Sequence, residues 1–489
     1  MIDKPFNFPP KGQGEAFGLA QELLGNADSR FNYYFQELIY NVQFSQAINK
    51  KNNPFKSLHG NLVLNLAKGL IKKVKNNQES DNKFDYLINP SASTFSRNPE
   101  QELLHNLVKK TLDKNLRTCV IYGKPSIILP LKKRFVNHPN LKKLSFINPQ
   151  NEIPRGYQIL FKYLAAIAGK LDYQYLSNLL AEHNIHLRWS SEMISNKIYA
   201  MLSWLWVANQ IEFETAILRV EWESYSFLIK ETAKCRGKKT IAFQHGVISH
   251  TLDIPVTVSR FLTFGEQSAQ FLQSLNQDFA KITGQTNLCN DFRPCGSVID
   301  NIQIIPNNFE QKTVLIIDQS VDRAIGFNGL KEQIKTLDEL LEKLLMQENI
   351  KKVIIRPHPE ATISDAWISC KCHYPDKCDF SNAKFPLDMD ISRSSVAIGL
   401  FSGALAIAAA SGLPTYWLKT VDGYYTGDLS CFDEFTFFSE DILEDIQKIM
   451  SSEKLYLERR NRILEVSQQY YKNNQKINFD EHFWQMFIE

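Results

Sequence analysis

At 489 residues, with 44% hydrophobic and 22% charged side chains, the chain is too long for one core and has the composition of a globular protein of roughly two to four domains. A formal charge of +3 lacks the basic excess of a dedicated nucleic-acid binder, so no nucleic-acid partner is expected. Met1-Ile-Asp-Lys-Pro-Phe6 has no apolar segment of the export type, and the eight cysteines are scattered, so reduced thiols in the cytoplasm are expected.

Residues 1–80 read as a helical N-terminal extension, with apolar residues at helical spacing in Glu15–Leu24, Asn32–Ile48 and Leu62–Lys75. From Phe84 the pattern changes to short apolar runs alternating with helices. Strands are predicted at 84–88, 118–122, 144–147, 215–220, 239–243 and 260–264. Helices are predicted at 101–112, 157–170, 173–183, 191–211, 226–236 and 267–275. The alternation points to a parallel, doubly wound sheet. Ile305-Pro-Asn-Asn-Phe309 has linker character and divides residues 81–305 from a second alternating unit at 306–475. That unit has predicted strands at 313–318, 353–356, 395–400 and 415–418, helices at about 330–347, 439–450 and 453–472, and a terminal helix at 476–489. The stretch Ala397–Leu418 alone matches a membrane span in length, but its glycines, serines and Pro414 suit a strand, turn and helix. The fold class expected is therefore α/β, with two Rossmann-like domains.

Ligands of such sheets bind beyond the carboxyl ends of the strands, so the strand ends carry the candidates. In the second unit Arg356-Pro-His-Pro359 ends one strand. Arg356 can supply charge and His358 a donor to a phosphate oxygen. Ser402 is placed to cap a helix whose Gly403 and Ala404 offer backbone N–H groups to an anion. Gln319 and Ser320 open the loop after strand 313–318 and join the same donor side. The plainer alternative is that Ser402 only caps and His358 only packs. In the first unit Gln244-His-Gly246 follows strand 239–243, with His245 a candidate base. Glu221 and Glu223, after strand 215–220, are further candidates for taking a proton; a solvated loop is the plainer reading. Gly265 and Glu266 close the next strand on the same rim. Cys370, Cys372, His373 and Cys378 could ligate zinc, but without a paired Cys-x-x-Cys spacing, and no metal is assigned. The basic clusters Lys132-Lys-Arg134 and Lys142-Lys143 suit a solvated face, or contact with an acidic membrane or glycan.

Over about 84–470, the order of strand-Gln-His-Gly-Val247, Phe261-Leu-Thr-Phe-Gly-Glu266, Cys295-Gly-Ser-Val-Ile-Asp300, Arg356-Pro-His-Pro359 and Gly399–Pro414 resembles bacterial GT-B glycosyltransferases that build capsule and lipopolysaccharide. Capsule-type Kdo transferases and bacterial sialyl- and polysialyltransferases are the groups it is most similar to. The resemblance implies a GT-B arrangement, two Rossmann-like domains facing a cleft. It implies a nucleotide-sugar donor, favouring a CMP-sugar, a glycan or glycolipid acceptor, and inverting, metal-independent transfer without a cofactor. It makes His358 and Pro359 the His-Pro pair at the donor and Ser402 the phosphate serine. Work at the inner face of the inner membrane would follow. The Asp/Glu-Asp/Glu-Gly triplet of many sialyltransferases is missing. Teichoic-acid polymerases share a similar frame, so a CDP-polyol phosphotransferase is the alternative. A nucleotide-sugar 2-epimerase and a non-catalytic scaffold also remain open.

Overall fold

The computed structural model describes residues 82–90, 98–123, 131–181, 190–219, 224–244, 246–248, 256–283, 288–297, 302–318, 328–357, 363, 365–381, 386–400, 402–419, 427–472 and 480–488, together with Val63 and Ala67. The expected N-terminal helices otherwise lie outside the described residues.

Seven strands form the first sheet: β1 (Lys83–Asn89), β2 (Thr118–Ile121), β3 (Leu144–Ile147), β4 (Glu212–Leu218), β5 (Lys239–Phe243), β6 (Arg260–Thr263) and β7 (Phe292–Pro294). They run in the order β3-β2-β1-β4-β5-β6-β7, every pair parallel. Six form the second: β8 (Thr313–Ile317), β9 (Lys352–Arg356), β10 (Cys378–Phe380), β11 (Val396–Gly399), β12 (Thr415–Leu418) and β13 (Thr436–Phe437). Their order is β10-β9-β8-β11-β12-β13, again parallel throughout. Both orders reverse direction once, between β1 and β4 and between β8 and β11, as in a doubly wound sheet. The two expected Rossmann-like domains are thus present.

Strands covered on both faces must be apolar on both, which is why Thr313–Ile317 is buried along its length. Alternate residues feed opposite layers. Leu315 and Ile317 enter one core and Val314 and Ile316 the other. In the first sheet Ala216 and Leu218 face one layer and Ile217 the other.

The helices used below are α1 (Asn98–Asp113), α2 (Arg155–Ala181), α3 (Ser191–Ala208), α4 (Ser224–Cys235), α5 (Glu266–Thr283), α6 (Asn328–Leu345), α7 (Asp365–His373), α8 (Leu387–Ser392), α9 (Gly403–Ala410), α10 (Ser439–Ser451) and α11 (Glu453–Tyr470). Two helices expected at 157–170 and 173–183 are one, α2. The intervening Leu171-Asp172 contains no breaker, and Asp172 is fully buried within the helix. The stretch Ala397–Leu418 folds as β11, α9 and β12, and Gly412 ends α9 at φ +84. No helix among the described residues is long and apolar enough to cross a membrane. Cys370 and Cys378 are buried thiols while Cys372 is exposed, and no group of three possible metal ligands occurs among the described residues.

The chain returns to the first sheet at its end. Phe483, Trp484 and Ile488 are buried against Tyr86, Ile88 and Leu107. Lys239 Nζ donates to the Ile488 carbonyl at 2.7 Å, and Arg293 Nη1 to that of Met486 at 2.9 Å. The first unit is therefore completed by residues from the far end of the sequence.

Candidate functional site

At the carboxyl edge of the second sheet, register sets three strand ends level. Ile317 pairs with Arg356 on one side and with Gly399 on the other. Arg356 and Gly399 are therefore separated by one strand, about 10 Å. Beyond Gly399 the chain turns into α9. Ser402 is its N-cap: the hydroxyl accepts from the Ala404 N–H at 3.2 Å. The Leu405 and Ala406 N–H groups go to the Ser402 carbonyl. The Gly403 N–H takes no partner among the described residues. A Cβ built on Gly403 would meet nothing within 4 Å, so the backbone is uncrowded at this position. The Gly403 N–H and the helix dipole both favour an anion there.

Arg356 does not stand alone at this edge. Its Nη1 donates to Asp390 Oδ2 at 2.5 Å, and Arg393 Nη2 donates to Asp390 Oδ1 at 2.6 Å. Ser381 Oγ donates to the same Oδ2. Asp390, on α8, is buried, while Arg393 is half exposed. Two guanidinium groups against one carboxylate leave a net charge of +1. The carboxylate fixes the direction in which Arg356 points. Asp390 was not expected from the sequence, since it is one of two acids in Leu387-Asp-Met-Asp390 with nothing to distinguish it.

At the carboxyl edge of the first sheet the polar groups form a closed network. Gln244, just past β5, is buried. Its Oε1 accepts from the Phe264 N–H at 2.6 Å. Its Nε2 donates to the Gly246 carbonyl at 2.9 Å and to Asp428 Oδ2 at 2.8 Å. Asp428 lies in the 3-10 segment Gly427–Phe435 that follows β12, so it belongs to the second unit. It is fully buried. Its Oδ2 also accepts from Ser268 Oγ at 2.6 Å, and its Oδ1 from the Ile248 N–H at 2.9 Å. One carboxylate thus joins β5, the loop after it and α5 to the other unit. Nearby, Gly265 lies under the carboxyl end of α11, where a Cβ would fall 2.4 Å from the Tyr470 carbonyl oxygen. Phe264 stacks on Tyr471 and meets Tyr470 edge-on.

Between β1 and β4, where the first sheet reverses, Asn89 Nδ2 donates to the Ile121 carbonyl at 2.9 Å and Ser226 Oγ to Asn89 Oδ1 at 2.6 Å. Arg219 is buried beside them and donates from Nη1 to the Gln244 carbonyl at 3.2 Å. A buried guanidinium one residue past β4 is a group that strand-end reasoning passed over in favour of the acids that follow.

Of the expected residues, Arg356, Ser402, Gly403 and Ala404 share one edge. Gln244, Gly246 and Gly265 lie in the seam between the units, and Glu266 is exposed at the start of α5. His245, Glu221, Glu223, His358, Pro359, Gln319 and Ser320 lie outside the described residues.

No family model matches the chain, and no curated protein matches it in sequence. Similarity is found to solved structures. TarM is 11% identical, with 80% of this chain and 96% of that one covered at a TM-score of 0.46. MurG of Acinetobacter baumannii is 11% identical over 83% and 99%, at 0.38. The wall teichoic acid polymerase TagF is 9% identical over 91% and 94%, at 0.42. At these scores the likeness concerns the arrangement of strands and helices alone.

Proposed function

We propose that the chain is a GT-B glycosyltransferase, its second unit holding a nucleotide-sugar donor and its first a glycan or glycolipid acceptor. What supports this most is the uncrowded start of α9 on a level with Arg356, where an anion would meet both a helix dipole and a net positive charge. A CMP-sugar is the favoured donor, and synthesis of capsule or lipopolysaccharide the favoured setting, on the motif order alone.

In this reading the acceptor oxygen attacks the anomeric carbon as the bond to the phosphate oxygen breaks, with inversion. His245, Glu221 or Glu223 takes the acceptor proton. Negative charge grows on the leaving phosphate, where Arg356, His358, Ser402 and the N–H groups of Gly403 and Ala404 would meet it. Pro359 holds the backbone at His358, and Gln319 and Ser320 border the same donor. These fixed groups take the place of a divalent cation, so the reading calls for no metal or cofactor. Work at the inner face of a membrane accompanies a glycolipid acceptor.

Thermal unfolding with CMP, CDP, UDP and GDP tests the donor side. A nucleotide at 100 times its dissociation constant adds about 2.7 kcal/mol. A shift with one of the four is expected, and no shift with any of them removes the reading. With the bound nucleotide known, a glycosidic product supports sugar transfer, whereas a phosphodiester product replaces it by CDP-polyol phosphate transfer.

A further inference from the structure

Helix α2, the longest of the first unit among the described residues, carries an unusual outer face. Ile159 is 72% exposed and Tyr163 65%, and Leu160, Ile167 and Leu171 are exposed with them. At about 100° per residue these five side chains fall within roughly 120° of arc. On the same scale the exposed Arg155 and Lys162 lie along one margin of the stripe and Lys170 just inside it. Lys162 Nζ also sits 5.5 Å from the ring centroid of Tyr199. The one acidic residue of α2, Asp172, is fully buried. The opposite side of the helix is held in the core through Phe161, Ala165 and Ala168.

Scattered exposed apolar residues are ordinary; a continuous stripe about 18 Å long is not. We infer that the outer face of α2 is a membrane-docking surface that lies in the interface of an anionic bilayer. The charge distribution selects this occupant. The apolar side chains suit the acyl boundary, and the three cations border them with no exposed acid on the helix to oppose lipid phosphates. The fixed core side keeps α2 parallel to the surface on which it rests. This surface does not depend on the reading of the strand ends given above.

Co-sedimentation of the full chain with vesicles tests the inference, using phosphatidylglycerol–phosphatidylethanolamine against pure phosphatidylcholine. Binding to the anionic vesicles is expected, weaker on phosphatidylcholine and weakened by salt. Ile159→Ser with Ile167→Ser should reduce binding about tenfold or more while leaving the thermal midpoint unchanged, because both side chains are exposed. Arg155→Gln and Lys170→Gln should each reduce it about fivefold at low salt. Equal binding by the stripe variant, or no binding by the parent chain, overturns the inference. So does a lowered thermal midpoint in the stripe variant, which would show the stripe packed on protein. Concentration-dependent association that the stripe variant abolishes without lipid overturns it in favour of a second copy of this chain.

Discussion

Replacing Asp428 should loosen the seam between the two units more than any other single polar change there. The carboxylate is fully buried and accepts from Gln244 Nε2, Ser268 Oγ and the Ile248 N–H. In Asp428→Ala the Ile248 N–H loses its acceptor in a buried setting, and Ser268 must turn elsewhere. Gln244 Nε2 retains the Gly246 carbonyl. Each stranded donor costs about 1–3 kcal/mol, offset in part because a buried carboxylate no longer needs desolvating. The net loss expected is about 2–4 kcal/mol. Asp428→Asn keeps one oxygen for Ile248 but turns an amide toward the amide of Gln244, and should cost about half as much. Urea unfolding of both variants measures this, and a double-mutant cycle with Gln244→Ala should give a coupling of at least about 1 kcal/mol. A loss below about 1 kcal/mol in Asp428→Ala, or additive effects in the cycle, would refute the role of this carboxylate as a tie.

Three further outcomes follow from the geometry. Gly403→Ala should change the unfolding free energy by no more than about 0.5 kcal/mol, since its Cβ meets nothing, yet weaken nucleotide binding; unchanged affinity would place the phosphate elsewhere. Gly265→Ala pushes a methyl against the Tyr470 backbone and should destabilise by about 1–3 kcal/mol or more, read by the same unfolding assay; a neutral effect would mean that α11 shifts freely over the first unit. Glu481 receives hydrogen bonds from Lys114 and Lys110, which hold its carboxyl down to about 2 from 4.5. A lowered folded pKa stabilises above the unfolded value and is lost as pH falls through the folded one. The thermal midpoint of the parent chain should therefore exceed that of Glu481→Gln at neutral pH, slightly because the pair is exposed, and the gap should close between pH 4.5 and 2; a gap persisting at pH 2 would contradict this.

How far the sequence could be read depended on what each residue's role required. Strands such as Lys239–Phe243 and Thr415–Leu418 coincide with their expected limits, because burial on both faces demands an apolar run that needs no knowledge of the partner. The strands passed over, β7, β10 and β13, have only two or three residues each. At that length there is no run to detect. β10 and α7 also lie within the cysteine-rich stretch that invited a metal reading; there Cys370 and Cys378 serve as small buried side chains. β4 starts at Glu212 rather than Thr215, since Glu212 and Glu214 occupy its solvent-facing alternations, and a polar residue hides a strand's beginning.

The polar residues divide in the same way. Ser402 and Gly403 announce themselves locally, as a cap and an uncrowded turn, and Arg356 ends a strand. Asp390 and Asp428 bear on these edges through Arg356 and Gln244, 34 and 184 positions away, and no local signal separates them from other acids. Their effect nonetheless alters what the legible residues can do. Asp390 gives the Arg356 guanidinium a fixed direction and sets its charge beside that of Arg393. An anion at the start of α9 would then meet a preset field and need not gather its own counter-charges, the condition under which fixed dipoles and cations lower a barrier most. On that argument Asp390→Asn should weaken transfer more than nucleotide binding, since the arginine stays but its aim relaxes. Equal losses in the two would show that Asp390 serves the fold alone.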